Sequence, residues 1–331
     1  MYRALITGVG HYVPERVVTN FDLEKIMDTS DAWIRERTGI HERRFVEGDE
    51  NNADLAEKAT RIALEMAGRT VADIDFIIYA TLSSEYFFPG SGCVLQEKLD
   101  IPGVGALDIR NQCSGFVYGL SIADQYIKTG MYKTILLVGS EIQSRGIDLT
   151  TRGRDMAVLF GDGAGAVIVE RSSDNNRGVL TTHLHADGRH IKELWCEDPG
   201  SVRMPRLTHD LIESASIWPS MNGRYVFKYA VTRFPEVIME ALNKAGVSKD
   251  EVDLVIPHQA NMRITEAVRA KLELPEEKVY SNIHKYGNTT AASIPIALSE
   301  AMTQGLVKEN SLVCLAAFGS GFTWASALIR M

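Results

Sequence analysis

A gapless internal repeat restricts the fold of this chain more than any other feature of its sequence. The segment "ALEMAGRTVADIDFIIYA" (63–80) aligns with "ALNKAGVSKDEVDLVIPH" (241–258). In both copies an apolar helical pattern stops at a glycine, a short acidic loop follows, and a buried strand pattern ends the unit. The repeat therefore predicts that one helix–loop–strand unit occurs twice. The identical positions are Ala63/Ala241, Leu64/Leu242, Ala67/Ala245, Gly68/Gly246, Asp75/Asp253 and Ile78/Ile256.

Two further pairs of segments occur in the same order in both halves of the chain. "LDIRNQCSGFVYGLSIAD" resembles "NIHKYGNTTAASIPIALSE", because in each a strand pattern runs into a helix that begins with small residues. "FGDGAGAVIVE" (160–170) pairs with "FGSGFTWASALIR" (318–330). Together the pairs predict a duplicated α/β domain, in which helices pack on both faces of the sheets.

The repeat also predicts how the chain is divided. We expect an N-terminal half over residues 1–172 and a C-terminal half over residues 173–331. The least regular segment, at about 187–224, reads as a lid-like excursion of the second half. Equivalent turns of the two halves would then meet near a central pseudo-two-fold axis.

Composition and charge exclude several classes of protein. The 331 residues are 45% hydrophobic and 24% charged, which is ordinary for a globular protein with a large core. A net charge of −8 and the lack of a basic stripe with interleaved aromatic residues argue against nucleic-acid binding. Residues 312–329 carry no charge, but "GSG" interrupts them, so strand–turn–strand is expected rather than a membrane span.

The cysteines indicate neither disulfides nor a metal site. The four of them, at positions 93, 113, 196 and 314, show no paired spacing, which predicts free thiols in a cytoplasmic protein. The chain has no CxxC and no HExxH motif. His183, His185 and His190 lie close together without a cysteine or carboxylate pattern beside them. We therefore expect no metal.

Cys113 occupies a position that suits either core packing or nucleophilic chemistry. The apolar run "GALDI" (105–109) predicts a strand, and helical spacing begins at Ser114 and stops at Gly130. Cysteine is among the most buried residue types, which favours packing. A helix N-terminus, however, favours an anion, so we expect this position to lower the pKa of the thiol. Its backbone N–H groups could also hold an oxyanion.

Two other polar residues lie where elements meet. His258 ends the apolar strand pattern "VDLVIP", just before a helix that begins near Asn261. Asn288 is expected at the start of the small-residue helix in "YGNTTAASIP", where asparagine also serves as an ordinary N-cap. In the duplicated scaffold, the turns that carry Cys113, His258 and Asn288 could share one site.

The loop "FGSGFTW" (318–324) follows the strand pattern "SLVCLAA". Glycines on both sides of Ser320 permit a close approach of the backbone, and they are equally typical of a tight turn.

The motifs "NQCSG", "PHQANMRI", "YGNTTAASIP" and "FGSGFTW", in this order, resemble the β-ketoacyl-[acyl carrier protein] synthase III family of the thiolase superfamily. The likeness extends nearly end to end, from "TSDAWIRERTGI" (29–40) to the last strand. It implies a thiolase-like α/β fold with duplicated halves in a layered α-β-α-β-α arrangement. It also implies an acyltransferase that begins type II fatty acid synthesis.

The resemblance assigns a catalytic triad and an oxyanion hole. Cys113, His258 and Asn288 match the family's Cys-His-Asn triad, and the backbone N–H groups of Cys113 and Ser320 match its oxyanion donors. The sequence departs from the commoner pattern at Ser320, often glycine, and at Gln112, often a small residue. These departures leave the reaction type intact and bear on the acyl-chain preference.

The chemistry implied by the resemblance has two half-reactions. Cys113 takes the acyl group from a short acyl-CoA, which we expect to be acetyl-CoA, and CoA leaves. Malonyl-[acyl carrier protein] then loses CO2, and His258 and Asn288 stabilise the enolate. The carbanion attacks the acyl-cysteine and gives 3-oxoacyl-[acyl carrier protein]. CoA thioesters are substrates here, and no cofactor is expected.

Substrate contacts are also implied residue by residue. Trp33 matches a position that stacks on the CoA adenine. Arg37, one helical turn after Trp33, and Arg154 match positions that hold the phosphates of CoA. Lys228 and Arg263 match positions that attract the acidic carrier protein. Without the resemblance, all five residues would read as packed or solvated side chains.

The aromatic segment "EYFFPGSG" (85–92) bears on chain length and assembly. Phe88 matches a residue that crosses the dimer interface of the family and closes the partner's acyl pocket. A phenyl group there would favour short starters, and the resemblance implies a homodimer. Paired aromatic residues could equally be interface core.

Two alternatives remain open. A related condensing enzyme of specialised metabolism would use an aromatic, branched or longer acyl starter, and "DIRNQCSG" and the irregular segment are compatible with it. A cysteine hydrolase could also use Cys, His and Asn. A hydrolase, however, gives no reason for Trp33, Arg37 and Arg154.

Overall fold

The computed structural model describes residues 2–331, and two main sheets organise it. A five-stranded sheet has the order β1-β7-β6-β4-β5, and a four-stranded sheet has the order β11-β12-β13-β8. Two-stranded sheets pair β2 with β3 and β9 with β10. The strands are β1 Arg3–Tyr12, β2 Val17–Thr19, β3 Glu42–Arg44, β4 Phe76–Ala80, β5 Gly105–Ile109, β6 Thr134–Glu141, β7 Gly163–Ser172, β8 Gly178–Ala186, β9 Leu194–Trp195, β10 Ser220–Met221, β11 Leu254–Pro257, β12 Leu312–Gly319 and β13 Thr323–Arg330.

Helices cover both faces of these sheets. Across residues 2–331, no helix combines the length and the apolar character that crossing a bilayer requires. The α-helices are α1 Asn20–Glu24, α2 Asp31–Thr38, α3 Asn52–Ala67, α4 Ser91–Lys98, α5 Gly115–Lys128, α6 Arg154–Ala157, α7 His209–Glu213, α8 Gly223–Ala245, α9 Met262–Leu272, α10 Ile283–Tyr286 and α11 Ser293–Thr303. Short 3-10 turns lie at 71–73, 112–114, 151–153, 188–193, 215–217, 249–251, 276–278 and 290–292.

The repeated unit folds as the sequence predicts. Helix α3 ends at Gly68 and α8 ends at Gly246, and both glycines adopt the left-handed conformation, with φ of 63° and 68°. Each helix is followed by a short 3-10 turn and then by a parallel strand, β4 or β11. Glycine suits both helix ends because a side chain would be strained at a positive φ.

The two main sheets have the same order of equivalent strands. In the first, β1, β7, β6 and β4 are neighbours in that order, and in the second β8, β13, β12 and β11 are. The pairs β6–β7 and β12–β13, which carry the third repeated segment, are both antiparallel. This order is what a duplication predicts, and the thiolase-like α/β class is confirmed. The boundary between the halves at residue 172 stays a prediction.

The core forms layers between and outside the sheets. Phe116 and Leu120 of α5 and Ile294 and Leu298 of α11 are buried in one cluster with side chains from both main sheets. Helix α3 packs on the outer face of the first sheet, and α8 and α9 pack on the outer face of the second. The central helices α5 and α11 therefore lie between the sheets, and each follows a turn that carries a predicted site residue.

The irregular segment at 187–224 contains little regular structure. A 3-10 turn (188–193), β9, the short helix α7 and β10 follow one another here. Strands β9 and β10 pair antiparallel, with Ser220 opposite Trp195 and Met221 opposite Leu194. Whether the segment acts as a lid stays a prediction.

Candidate active site

Cys113 lies in the 3-10 turn that joins β5 to α5. The helix begins at Gly115, close to the predicted start, and Cys113 is only 8% exposed. The end of β12 passes directly against the cysteine. A Cβ atom on Gly319 would lie 2.6 Å from the Cys113 Cβ and 2.8 Å from its Sγ, so only glycine fits at this approach.

The environment of the thiol differs from the expectation. Burial raises the pKa of Cys113 to about 12, and the Glu141 carboxylate adds to this increase. The nearby backbone N–H groups of Cys113 and Ser320 favour the thiolate and act on the pKa in the opposite direction. The prediction that the helix N-terminus lowers the thiol pKa is therefore wrong, because the loss of hydration outweighs the nearby N–H groups.

His258 is buried directly after β11. Its Nδ1 lies 2.7 Å from Ser293 Oγ, at the first residue of α11, whereas its Nε2 is buried without a hydrogen-bond partner. Burial lowers the pKa of His258 to about 3, so the imidazole is neutral near pH 7. Because a serine hydroxyl both donates and accepts, Ser293 can support either tautomer of the ring.

Asn288 lies two residues before the 3-10 turn 290–292, which runs directly into α11. It forms an isolated parallel bridge with Phe160, and its backbone N–H donates to the Leu159 carbonyl at 2.8 Å. Its side-chain Oδ1 accepts the backbone N–H of Thr290 at 2.9 Å. Its side chain thus caps the first turn of the helical stretch, and the expected position at the start of the helix is confirmed to within two residues. The hydrogen bond to Oδ1 leaves the amide nitrogen available to a ligand.

One cavity of about 520 Å³ brings the predicted triad together. Cys113, His258, Asn288 and Gly319 form its inner end. Trp33, Arg37 and Arg263 also line it, so three of the five residues that the resemblance assigns to CoA and the carrier protein share this cavity with the triad, whereas Arg154 and Lys228 do not line it. The apolar lining includes Leu194, Met221, Val226, Ala230, Phe234, Ile264 and Phe318.

The predicted CoA contacts form a compact group. The Arg37 guanidinium carbon lies 4.7 Å from the centre of the Trp33 ring, and that of Arg154 lies 5.3 Å from it. Arg154 Nη1 also donates to the Asp28 carbonyl at 2.6 Å. The two arginines therefore flank one indole, which is an arrangement suited to an aromatic ligand that carries phosphates.

The predicted carrier-protein contacts are exposed. Arg263, at the N-terminus of α9, lies 5.9 Å from the Phe227 ring, and Lys228 follows Phe227 on α8. Arg224, one turn before Lys228, is an exposed residue of the cavity lining that the sequence analysis missed. Nothing local distinguishes it from an ordinary residue of a helix surface.

Phe88 does not reach the cavity of its own chain. Its side chain is 81% exposed, and the neighbouring Tyr86 and Phe87 are 59% and 70% exposed. The Arg206 guanidinium carbon lies 3.7 Å from the centre of the Phe87 ring. Any contact of Phe88 with an acyl pocket must therefore be made in another molecule.

Several buried polar residues support the site without having stood out in the sequence. Glu141, at the end of β6, accepts hydrogen bonds from Thr81, Leu82 and Ser83, and burial raises its pKa to about 7. Gln143 donates to Thr290 Oγ1 at 3.0 Å, next to the Thr290 N–H that holds Asn288. Among residues 2–331, no three His, Cys, Asp or Glu side chains converge in a way that could bind a metal ion.

Comparisons with known proteins indicate the same family in both halves of the chain. Residues 107–188 match the family described as 3-oxoacyl-[acyl-carrier-protein (ACP)] synthase III, and residues 242–331 match the family of its C-terminal part. The β-ketoacyl-[acyl-carrier-protein] synthase III of Geobacillus kaustophilus is 47% identical over 325 residues, covering 98% of both chains.

Two solved structures show the same agreement in three dimensions. The 3-oxoacyl-[acyl-carrier-protein] synthase III of Aquifex aeolicus has 46% identity and a TM-score of 0.91, with 99% of this chain and 100% of that chain covered. The priming β-ketosynthase of the R1128 polyketide pathway has 31% identity and a TM-score of 0.90, with 99% and 96% covered.

Proposed function

Because this chain belongs to the β-ketoacyl-[acyl carrier protein] synthase III family, we propose that Cys113 carries the acyl group in its condensation reaction. Members of the family are condensing acyltransferases that initiate fatty acid synthesis. The substrates are an acyl-CoA and malonyl-[acyl carrier protein]. One observation carries the assignment: the buried, unpartnered Nε2 of His258 lies in the same cavity as Cys113 and Asn288.

The first half-reaction transfers the acyl group to the enzyme. The Cys113 sulfur forms a bond to the thioester carbon, and the bond to the CoA sulfur breaks. The backbone N–H groups of Cys113 and Ser320, which favour negative charge on the sulfur in the free protein, hold the oxyanion of the intermediate. The thiol proton passes to the neutral His258 and leaves with CoA as its thiol.

The second half-reaction forms the new carbon–carbon bond. Malonyl-[acyl carrier protein] loses CO2, and its thioester oxygen becomes an enolate. His258 Nε2–H and the Asn288 amide donate hydrogen bonds to this oxygen. Between the half-reactions the neutral imidazole exchanges its proton from Nδ1 to Nε2 by way of solvent, and Ser293 then donates to Nδ1. The carbanion attacks the acyl-cysteine and the bond to sulfur breaks, which releases 3-oxoacyl-[acyl carrier protein] and the Cys113 thiolate, and the thiolate takes up a proton from solvent.

Side chains at the mouth of the cavity carry the positive charge that binding of the anionic substrates requires. The Trp33 ring stacks on the CoA adenine, and Arg37 and Arg154 hold the phosphates. Lys228 and Arg263 receive the acidic carrier protein. On a protein with a net charge of −8, this local cationic group would guide anionic partners to one face.

We propose that the protein acts as a homodimer in the cytoplasm. The exposed aromatic segment at 86–88, with Val202 and Met204 at 85% and 97% exposure, supplies apolar surface that a second copy would cover. In such a dimer Phe88 would close the partner's acyl pocket and favour a short starter. All four cysteines are free, as expected in a reducing compartment.

The test is intact-protein mass spectrometry after incubation with a panel of acyl-CoAs. We expect acetyl-CoA to acylate the wild-type protein and leave the Cys113→Ala variant unmodified. Malonyl-[acyl carrier protein] should then remove the adduct and yield 3-oxoacyl-[acyl carrier protein]. No adduct from any donor would refute the thioester mechanism.

The same experiment separates the alternatives. The likeness to a priming synthase of a polyketide pathway favours specialised metabolism as the second candidate. Preferential acylation by an aromatic, branched or longer acyl-CoA would support it. Loss of the adduct in water alone, with release of free acid, would instead indicate a cysteine hydrolase.

A further inference from the structure

The start of the irregular segment, residues 187–194, is fastened to the loop that carries Ser320. Asp187 and Phe322 exchange two backbone hydrogen bonds, of 2.8 and 2.9 Å. At the other end of this strip, the Ser320 hydroxyl donates to the carbonyl of Leu194 at 2.5 Å. The loop 319–322 is therefore held at two points by a segment that lies outside the main sheets.

Aromatic packing reinforces the attachment between those two points. The ring of His190 stacks on Phe322 with 5.2 Å between their centres, and its Nδ1 lies 3.1 Å from the Tyr225 hydroxyl. His190 Nε2 lies 3.4 Å from the Asp187 carboxylate. The strip is thus joined both to the loop and to the first turns of α8.

The hydrogen bond from the Ser320 hydroxyl matters because the backbone N–H of the same residue acts on Cys113. The loop approaches Cys113 closely at Gly319, and the backbone N–H of Ser320 favours the Cys113 thiolate, while the Ser320 side chain is bound to Leu194. Gly319 ends β12 opposite Thr323, and Thr323 Oγ1 donates to the Ser320 carbonyl at 3.2 Å, so both contacts hold Ser320 from the side of the sheet. The side chain is the only anchor that Ser320 itself contributes to the strip.

We propose that the Ser320 hydroxyl is a positioning group, which holds the oxyanion-donating N–H of this residue in place by its bond to the Leu194 carbonyl. The inference rests on the proposed function, because it needs that N–H to act on the thioester. The proposal assigns a function to the serine at position 320, where glycine is the commoner residue. Steps in which negative charge forms on the acyl oxygen depend on the N–H of Ser320, whereas decarboxylation depends on His258 and Asn288.

The test compares two partial reactions in a Ser320→Ala variant. One is single-turnover acylation of Cys113 by saturating acetyl-CoA, followed by intact mass. The other is CO2 release from malonyl-[acyl carrier protein] without an acyl donor. We expect the ratio of the acylation rate to the decarboxylation rate to fall about tenfold, since a poorly positioned donor loses most of its effect on the transition state.

Two further variants make the comparison specific. Ser320→Thr keeps the hydroxyl and should restore most of the ratio. Ser214→Ala is the matched control: it removes a serine hydroxyl that donates to the Leu211 carbonyl at 2.9 Å in the same irregular segment, and it should leave the ratio unchanged.

Hydrogen exchange reports on the loop directly. The peptide that contains residues 319–322 should exchange faster in Ser320→Ala than in wild type or Ser320→Thr. An unchanged ratio in a Ser320→Ala protein would overturn the proposal, as would an equal fall in both rates. If wild type itself takes no acyl group, the proposed function has failed, which is a separate result.

Discussion

At the scale of single residues, burial keeps both reacting groups of the site uncharged. It raises the pKa of Cys113 to about 12 and lowers that of His258 to about 3. Near pH 7 the free protein therefore holds a thiol and a neutral imidazole instead of an ion pair. Cys113 must lose its proton as it attacks, and the unpartnered Nε2 of His258 is the acceptor that the cavity offers.

The two enolate donors should separate the half-reactions. We expect decarboxylation to fall by about 100-fold or more in both His258→Ala and Asn288→Ala, because each removes a positioned hydrogen-bond donor. Acylation should fall much less in Asn288→Ala, since the amide acts on the malonyl group. The measurements are CO2 release and Cys113 acylation. An Asn288→Ala protein that decarboxylates normally would refute this role.

Burial of a neutral imidazole also predicts a dependence of stability on pH. Below pH 6.5 the unfolded chain binds a proton at His258, whereas the folded protein does not until about pH 3. The contribution to stability is therefore complete above pH 6.5 and is lost as the pH falls. Between pH 7.5 and 5.0, wild type should lose about 2 kcal/mol more unfolding free energy than His258→Ala.

Urea unfolding of both proteins at the two pH values measures this difference. The cavity left by the alanine lowers the stability of the variant at both values, so it cancels in the comparison. Equal losses in wild type and variant would mean that His258 has nearly the same pKa in the folded and unfolded protein.

At the scale of elements, the close contact between β12 and the cysteine turn predicts the effect of one methyl group. Gly319→Ala places a Cβ within 3 Å of the side chain of Cys113, so the turn or the strand must shift. We expect the acylation rate to fall by about 10- to 100-fold, because small displacements of reacting groups have large effects on rate.

Gly188→Ala is the matched control for this prediction. It also adds a methyl group, but no atom lies within 4 Å of the new Cβ and its φ is not positive. Acylation by this variant should equal that of wild type, with rates measured by intact mass. A Gly319→Ala protein that acylates at the wild-type rate would show that the turn adapts to the methyl group.

The elements that the sequence predicts well are those with local signals. Ser30 caps α2 and Gly39 ends it in the left-handed conformation, so the helix that carries Trp33 is readable from its own residues. The turn within the uncharged run at 312–329 is likewise found between β12 and β13. In each case, residues next to one another in the chain determine the structure.

Features that depend on distant contacts were not readable in this way. Asn288 lies just before a helical stretch, as its sequence context indicates, but its bridge to Phe160 has no local signal in the sequence. The thiol pKa depends on burial by the second half of the chain and on Glu141, which is 28 residues away in sequence. The triad itself was assigned through family resemblance, because local patterns do not place three separate turns in one cavity.

At the scale of the whole molecule, the exposed aromatic segment at 86–88 connects assembly with substrate choice. If Phe88 closes the partner's pocket, then Phe88→Ala should enlarge that pocket without breaking the dimer, because other exposed apolar side chains remain. Accommodating even one more methylene is worth about 1–3 kcal/mol in a hydrophobic pocket. The preference for acetyl-CoA over a longer acyl-CoA should therefore fall by about tenfold or more.

Competition between acyl-CoAs, followed by intact mass, measures this preference, and light scattering after gel filtration reports the oligomeric state. Phe21→Ala is the control, since it removes another exposed phenyl group, 57% exposed and located on α1. A dimeric Phe88→Ala protein with the wild-type preference would remove Phe88 from the acyl pocket. A wild-type protein that is monomeric and fully active would show that each cavity is complete within one chain. The predicted result has two parts. The protein is a dimer, and its preference for acyl-chain length changes in Phe88→Ala but not in Phe21→Ala.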